Sequence, residues 1–267
     1  MFREYLDHLL SKGQSSFTFQ EITNDLNLSI NSTKSGLYRL KNKGQIITPA
    51  KGLYVIVPPE RIHQGCIPAE ELIPILMKYL RLDYYVSLLS AGLFHGATHQ
   101  KPNCFQVVTN KQIKHPLKFG VVKLEMIYKK HLSNLPLQDF TVRTGYLKVA
   151  SPELVIFDLF QYTSKSGGLN HIATVLSELI LAVDPVKLIE LANQIGQKAW
   201  LQRLGFILEQ IESMEEDKKL KVIEVLEKYL DDKTTSFIPI AKEITTIGYP
   251  RIAKWKIIAN TTIESDL

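Results

Sequence analysis

Cysteine is nearly absent: Cys66 and Cys104 are the only thiols in 267 residues. Two cysteines make no disulfide framework, which sets aside the small stapled domains of secreted proteins and points to reduced thiols in a cytoplasmic chain. Long apolar runs are missing too. The richest stretches, 86–97 and 172–183, are short and broken by His, Ser or Glu, whereas a membrane-spanning helix needs about 20 apolar residues. The opening MFREYLDHLLSKGQ carries Arg3, Glu4 and Asp7, where a signal peptide needs an unbroken apolar core. The chain has no G-x-G-x-x-G, no Ser-centred elbow motif, no closely spaced Asp-x-Asp pair, no internal repeat and no low-complexity tract. The enzyme classes that carry those signatures are therefore unsupported.

What is present is the balance of a folded protein, 45% hydrophobic and 22% charged residues. At about 150 residues per domain the length fits one to two domains, enough to bury a core without metals or bridges. Lys and Arg number 32 against 27 Asp and Glu, a net charge of +5. Spread evenly, that excess says little about partners, so its placement matters more. Residues 1–60 hold Arg3, Lys12, Lys34, Arg39, Lys41, Lys43 and Lys51 against Glu4, Asp7, Glu21, Asp25 and Glu60. The basic excess is densest at the front.

Val57-Pro58-Pro59-Glu60 ends an apolar run and cannot continue a strand ladder or a helix, which divides the chain into 1–60 and 61–267. The spacing predicts a first helix over Phe2 to Ser11, with Phe2, Tyr5, Leu6, Leu9 and Leu10 on one face and Gly13 as the stop. A second helix, Phe19 to Asn27, buries Ile22 and Leu26. A break at Leu28-Ser29 leads to a third, Ile30 to Lys43, ended by Gly44. Two apolar stretches, Gln45–Thr48 and Leu53–Val57, flank Pro49-Ala50-Lys51-Gly52, the residue types of a hairpin turn.

Beyond the boundary, Ala69 to Leu82 reads as an amphipathic helix and Tyr84 to Gly92 is ambiguous. Strands are expected at Phe105–Thr109, Val121–Tyr128, Phe140–Thr144 and Tyr146–Ala150. Alternation puts Val122, Leu124, Met126 and Tyr128 on a buried face, with Ile127 the exception. From Ser151 the period changes. Ser151-Pro152 and Asp184-Pro185 are cap-plus-proline helix starts. Three helical stripes follow: Ile172 through Val183, Leu201 through Ile211, and Leu220, Ile223, Leu226 with Leu230. A last strand-like piece lies at Trp255–Ala259. The expected class is α+β: an N-terminal winged helix-turn-helix, then a larger mixed α/β domain. That domain is sheet-containing over 84–150 and mainly helical over 151–232, with a tail over 233–267.

At about 100° per residue, Ile30, Thr33, Leu37 and Leu40 fall on one side of the third helix. Asn31, Ser35, Tyr38 and Asn42 fall on the other, with Ser32, Lys34, Arg39 and Lys41 on the shoulders. No acid lies between Leu26 and Gln45. Short polar groups suit base edges in the major groove, and cations suit phosphates. Lys51-Gly52 is then the tip of a wing that reaches a flanking phosphate or the minor groove. Plain solvation also produces a basic polar face, and three-helix units bind proteins as well. The full order of helix, helix, break, basic helix and hairpin is what favours DNA. The expected contact set is Asn31, Ser32, Lys34, Ser35, Tyr38, Arg39, Lys41 and Lys51, read on palindromic sites by a dimer or by two cooperating monomers.

Candidates for catalysis are weaker. His95 and His99 stand four apart with Cys104 nearby, and His63 precedes Cys66 by three. On a helix the first pair would share a face suited to zinc. Gly92, Gly96 and Thr98 favour a loop instead, and no intervening Glu supplies a metalloprotease base. Gly167-Gly168 lacks the Lys-Ser/Thr of a phosphate loop and reads as a helix-entry turn. Ser87, Ser90, His95 and Asp158 form a triad only on paper. Asp158, inside the apolar run Val155–Phe160, is expected to cap or pair within a buried helix. No metal, cofactor or catalytic residue is assigned, and the chain is not expected to be an enzyme.

Several segments recur in a familiar order: Lys51-Gly52-Leu53-Tyr54-Val55, Tyr84 through Ala91 with Phe94-His95-Gly96, and Gln106-Val107-Val108-Thr109. Val149 through Glu153 leading into Phe157-Asp158, and Trp255-Lys256-Ile257-Ile258, complete the order. Together they resemble the AbiEi-type antitoxins of bacterial abortive-infection, type IV toxin–antitoxin systems. The resemblance implies a front domain that binds inverted repeats in its own promoter and represses the antitoxin–toxin pair. It implies a back domain that counteracts a nucleotidyltransferase-like toxin, generally without a stable complex. It also implies Ser32, Lys34, Ser35, Tyr38, Arg39 and Lys51 at the DNA, and a monomer or weak dimer that cooperates on it. No antitoxin residues carry over to the back domain, where the His95-Gly96 region is the surface to watch. Two other readings stay open: a ligand-responsive winged-helix regulator with a deep apolar pocket, and a nucleic-acid-modifying enzyme.

Overall fold

A computed structural model describes residues 1–97, 102–113, 115–213, 215–231 and 236–264. The chain is α+β and divides into two units. One comprises Met1–Val86, Asn103–Asn134 and Gln138–Val149, the other Ser87–Pro102, Leu135–Leu137 and Ala150–Leu267.

The front unit begins with α1 (Phe2–Ser11), β1 (Ser16–Thr18), α2 (Phe19–Asp25), α3 (Ile30–Asn42), β2 (Ile46–Ala50) and β3 (Leu53–Ile56). Helix α1 spans the expected residues because its spacing gives it one apolar face, on which Tyr5, Leu6 and Leu9 are buried. A reciprocal cap starts α2: Thr18 Oγ1 accepts from the Glu21 N–H, and Glu21 Oε2 accepts from the Thr18 N–H at 2.6 Å. Just past α2, Asn27 adopts a left-handed φ of 47°, which Asn tolerates better than most residues. Ser29 then caps α3 by accepting from the Ser32 N–H. These local bonds set the turn between α2 and α3.

Strand β1 was not expected. It pairs antiparallel with β3, which also pairs antiparallel with β2, giving the order β1-β3-β2. The hairpin is tighter than the sequence suggested. Pro49 and Ala50 belong to β2, an edge strand where proline is tolerated. Only Lys51 and Gly52, at φ 85°, separate Ala50 from its partner Leu53.

Tyr5, Leu6, Leu9, Phe17, Ile22, Leu37, Leu40, Ile46 and Ile56 form a continuous core beneath these elements. The Tyr5 hydroxyl donates to Asp25 Oδ2 at 2.8 Å. Burial, and then Asp25, hold its phenol well above the usual range. Ile30, expected inside, is 59% exposed. It occupies the first position of α3, ahead of the turns that meet the core, and Gly36 joins Thr33, Leu37 and Leu40 on the buried face instead.

The proline pair opens a 3-10 turn, Pro59–Gln64, within the same unit. The Gln64 carbonyl accepts from the Val121 N–H at 2.9 Å. A side chain at Gly120 would collide with the backbone of Gln64 and Gly65. Helix α4 (Ala69–Leu80) follows, and then a mixed sheet of β4 (Tyr84–Val86), β5 (Phe105–Thr109), β6 (Leu117–Phe119), β7 (Val122–Tyr128), β8 (Leu137–Val142) and β9 (Gly145–Ala150), in the order β6-β7-β5-β4-β9-β8. Tyr128, assigned to the buried face by alternation, is 48% exposed because β7 and its pairing with β5 end there. Ile127 is buried in its place.

The second unit holds α5 (Leu88–Phe94), α6 (Pro152–Gln161), α7 (Gly168–Leu179), α8 (Pro185–Ile195), α9 (Ala199–Leu208) and α10 (Glu216–Asp231). It ends in β10 (Ile238–Pro239), β11 (Arg251–Ile252) and β12 (Ile257–Ile258), a small sheet in the order β10-β12-β11. The two expected caps form: Ser151 Oγ accepts from the Leu154 N–H and Asp184 Oδ1 from the Val186 N–H. Gly167, left-handed, leads into α7. Leu220 is 50% exposed, contrary to its place in the expected stripe. The buried face of α10 is turned toward Lys219, Val222, Ile223, Leu226 and Leu230, and the Lys219 ammonium donates to the Ile211 carbonyl.

Helix α9 grips the C-terminal segment. Gln202 Nε2 donates to the Ser236 and Trp255 carbonyls, and Arg203 donates to those of Pro239 and Ile240. Trp255, fully buried, lies over Gly205 and donates to Glu209 at 2.7 Å.

Candidate nucleic-acid interface

Asn31, Ser32, Lys34, Ser35, Tyr38, Arg39 and Lys41 are all exposed along one side of α3, and Tyr38 is 67% exposed. Among the described residues no acid pairs with Lys34, Arg39, Lys41 or Lys51, because the helix has no carboxylate of its own and its buried side is Thr33, Gly36, Leu37 and Leu40. Arg39 and Lys41 stand in the last turn, where the helix dipole favours cations. Ser32 differs from its neighbours: its hydroxyl lies 2.9 Å from that of Ser29, inside the cap.

The Lys51 side chain is exposed at the hairpin tip. Its backbone is not free, since the Tyr79 hydroxyl donates to the Lys51 carbonyl at 2.8 Å. This contact was invisible in the sequence, where Tyr79 is one more polar-tipped residue of an amphipathic helix. Tyr79 thus ties α4 to the tip of the β2–β3 hairpin.

Ser87, His95 and Asp158 are woven into the second unit. Ser87 and Asp158, both fully buried, are brought together, the serine hydroxyl donating to Asp158 Oδ2 at 2.7 Å. His95 does not complete a triad with them: its Nε2 donates to the Ala150 carbonyl at 2.7 Å. Burial holds the His95 pKa below its ordinary value, against the pull of that carbonyl and of Glu153. His99 lies outside the described residues. Burial pushes the Cys66 thiol up to about 12, while His63 stands exposed. Among the described residues no group of three or more His, Cys, Asp or Glu is placed to hold a metal. None of their helices is long and apolar enough to cross a membrane.

Residues 85–210 match the family model of the AbiEi antitoxin C-terminal domain. Over those residues the chain is similar to the AbiEi antitoxins. That match supports an antitoxin role in a toxin–antitoxin, abortive-infection system. It begins inside β4 and runs just past α9, so the buried Ser87–Asp158 bond and the His95–Ala150 bond fall within the matched stretch, whereas α3 and the hairpin lie ahead of it. In fold the chain is similar to the crystal structure of the RV2827C protein from Mycobacterium tuberculosis. The TM-score is 0.62 at 14% identity, covering 95% of this chain and 89% of that one. No curated protein sequence matches.

Proposed function

We propose that this protein is an AbiEi-type antitoxin and also the repressor of its own operon. Residues 1–60 act as a winged helix-turn-helix that binds inverted repeats upstream of its gene. Residues 61–267 counteract a nucleotidyltransferase-like toxin encoded beside it. In this reading α3 lies in the major groove and the Lys51-Gly52 tip is the wing. Asn31, Ser32, Ser35 and Tyr38 meet base edges and sugar, while Lys34, Arg39, Lys41 and Lys51 meet phosphates. The protein works in the cytoplasm without catalysis, as a monomer or weak dimer that cooperates on paired half-sites.

The observation that carries this reading is the bare, acid-free side of α3, with four helix residues able to hydrogen-bond and three cations beside them. A surface kept only for solubility intersperses both signs of charge. The test is anisotropy of a labelled duplex from the gene's own upstream region across a salt series. Each phosphate contact contributes about 0.9 to the log–log salt slope, so Lys34→Ala/Arg39→Ala is expected to lower that slope by about 2 and to weaken binding at least tenfold. An upstream duplex that fails to bind at low salt overturns the repressor reading. Growth rescue in cells expressing the neighbouring toxin tests the antitoxin half separately, and the same double variant is expected to retain rescue.

A further inference from the structure

The front unit contains a groove of about 950 Å3 that duplex binding by α3 does not use. One wall is the turn from Gly13 into β1, and the other is the end of α4 together with the β8–β9 turn and β9. Lys78, Arg81 and Lys148 line it, all three exposed and none with an acid partner among the described residues. The two acids on its rim each accept from a neutral N–H and are outnumbered by the three cations. Glu21 accepts from the Thr18 N–H in the α2 cap, and Asp83 accepts from Asn110 Nδ2 at 3.3 Å.

Three phenol rings share the groove: Tyr79, Tyr84 and Tyr146. The hydroxyls of Tyr79 and Tyr84 donate to the carbonyls of Lys51 and Tyr146, which fixes both rings in the wall. Tyr146 is 68% exposed, a large aromatic side chain left mostly in solvent.

Unanswered cations set among aromatic rings are what holds unpaired nucleic acid, where cations follow the phosphates and rings stack on bases. A duplex keeps its base faces hidden and leaves the rings unused. An apolar ligand leaves the cationic excess of the groove without counter-charge. We propose that this groove binds a short single strand of nucleic acid, at a site separate from the duplex-reading surface of α3.

The experiment is anisotropy of the full chain with labelled oligouridine and oligothymidine, alongside the upstream duplex. Single strands are expected to bind, and the RNA and DNA arms report which sugar is preferred. Tyr146→Ala is expected to weaken single-strand binding about tenfold, and Tyr146→Phe to retain it. At about 0.7 per phosphate contact on a single strand, Lys78→Ala/Arg81→Ala/Lys148→Ala is expected to lower the salt slope by about 2. The control is Lys34→Ala/Arg39→Ala, which is expected to leave single-strand binding intact. Absence of single-strand binding at low salt overturns the proposal, as does binding lost through Lys34 and Arg39 but not through the groove variants. Failure of the upstream duplex alone bears only on the repressor reading. Circular dichroism and urea midpoints, expected to match the parent, show that the exposed-site variants are folded.

Discussion

Helices α3 and α9 carry similar polar chemistry to opposite ends. On α9, Gln202 and Arg203 are buried, and every hydrogen bond described for their side chains goes to a carbonyl of the C-terminal segment. On α3, Lys34, Arg39 and Lys41 point to solvent with no protein acid facing them. A buried guanidinium has to find acceptors within the fold, because stranding it costs several kcal/mol. An exposed one costs little and remains available. Residue type therefore says less about function than where the fold leaves each donor: the amide and guanidinium of α9 hold the protein together, and those of α3 face outward.

Substitutions sharpen this contrast in descending order of expected effect. Gly205→Ala drives a methyl into the buried Trp255 ring. It is expected to lower stability by about 3 kcal/mol, the upper end for overpacking, read as a shift in the urea midpoint at unchanged slope. Arg203→Leu leaves the Pro239 and Ile240 carbonyls without their donor and is expected to cost about 2 kcal/mol. By contrast, Lys34→Ala/Arg39→Ala is expected to stay within about 0.5 kcal/mol of the parent. A large loss there would mean that α3 uses its cations internally, and the contrast would fail.

The pH dependence is the finest of these tests. Burial keeps the folded-state pKa of His95 below its unfolded value of about 6.5, so the unfolded chain takes up the proton first. His95 thus permits full stability above about pH 6.5 and removes it as pH falls toward the folded pKa. Urea midpoints taken down that range are expected to decline more steeply in the parent than in His95→Gln, which keeps a donor for Ala150.

Much of this architecture was legible in the residues, where local chemistry decides it. The face of α1, the Ser151 and Asp184 caps, the stripe of α7 and the left-handed Gly167 depend on neighbours within a turn or two. Pairings between distant segments were not legible. Strand β1 is three residues long and exists because β3 offers its second edge. The hairpin closed at Lys51-Gly52 rather than over four residues, since register with β3 drew Pro49 and Ala50 into the ladder. Ile30 and Leu220 were misassigned because a helical stripe does not reveal where the neighbouring core stops. The exposed side of α3 was readable from the helical spacing of Thr33, Leu37 and Leu40. The Tyr79–Lys51 tie, joining residues 28 apart, and the groove walled by segments from three parts of the chain needed coordinates.

The central claim is that the polar side of α3 is covered by duplex DNA. Ser35→Cys places a thiol on that side, and Val186→Cys places one on α8, where Val186 is 64% exposed. Each is labelled with a bulky thiol reagent with and without saturating upstream duplex, against the parent as background. The account predicts that duplex blocks labelling at position 35 and leaves position 186 unchanged. Equal labelling at position 35 with the duplex bound would contradict it.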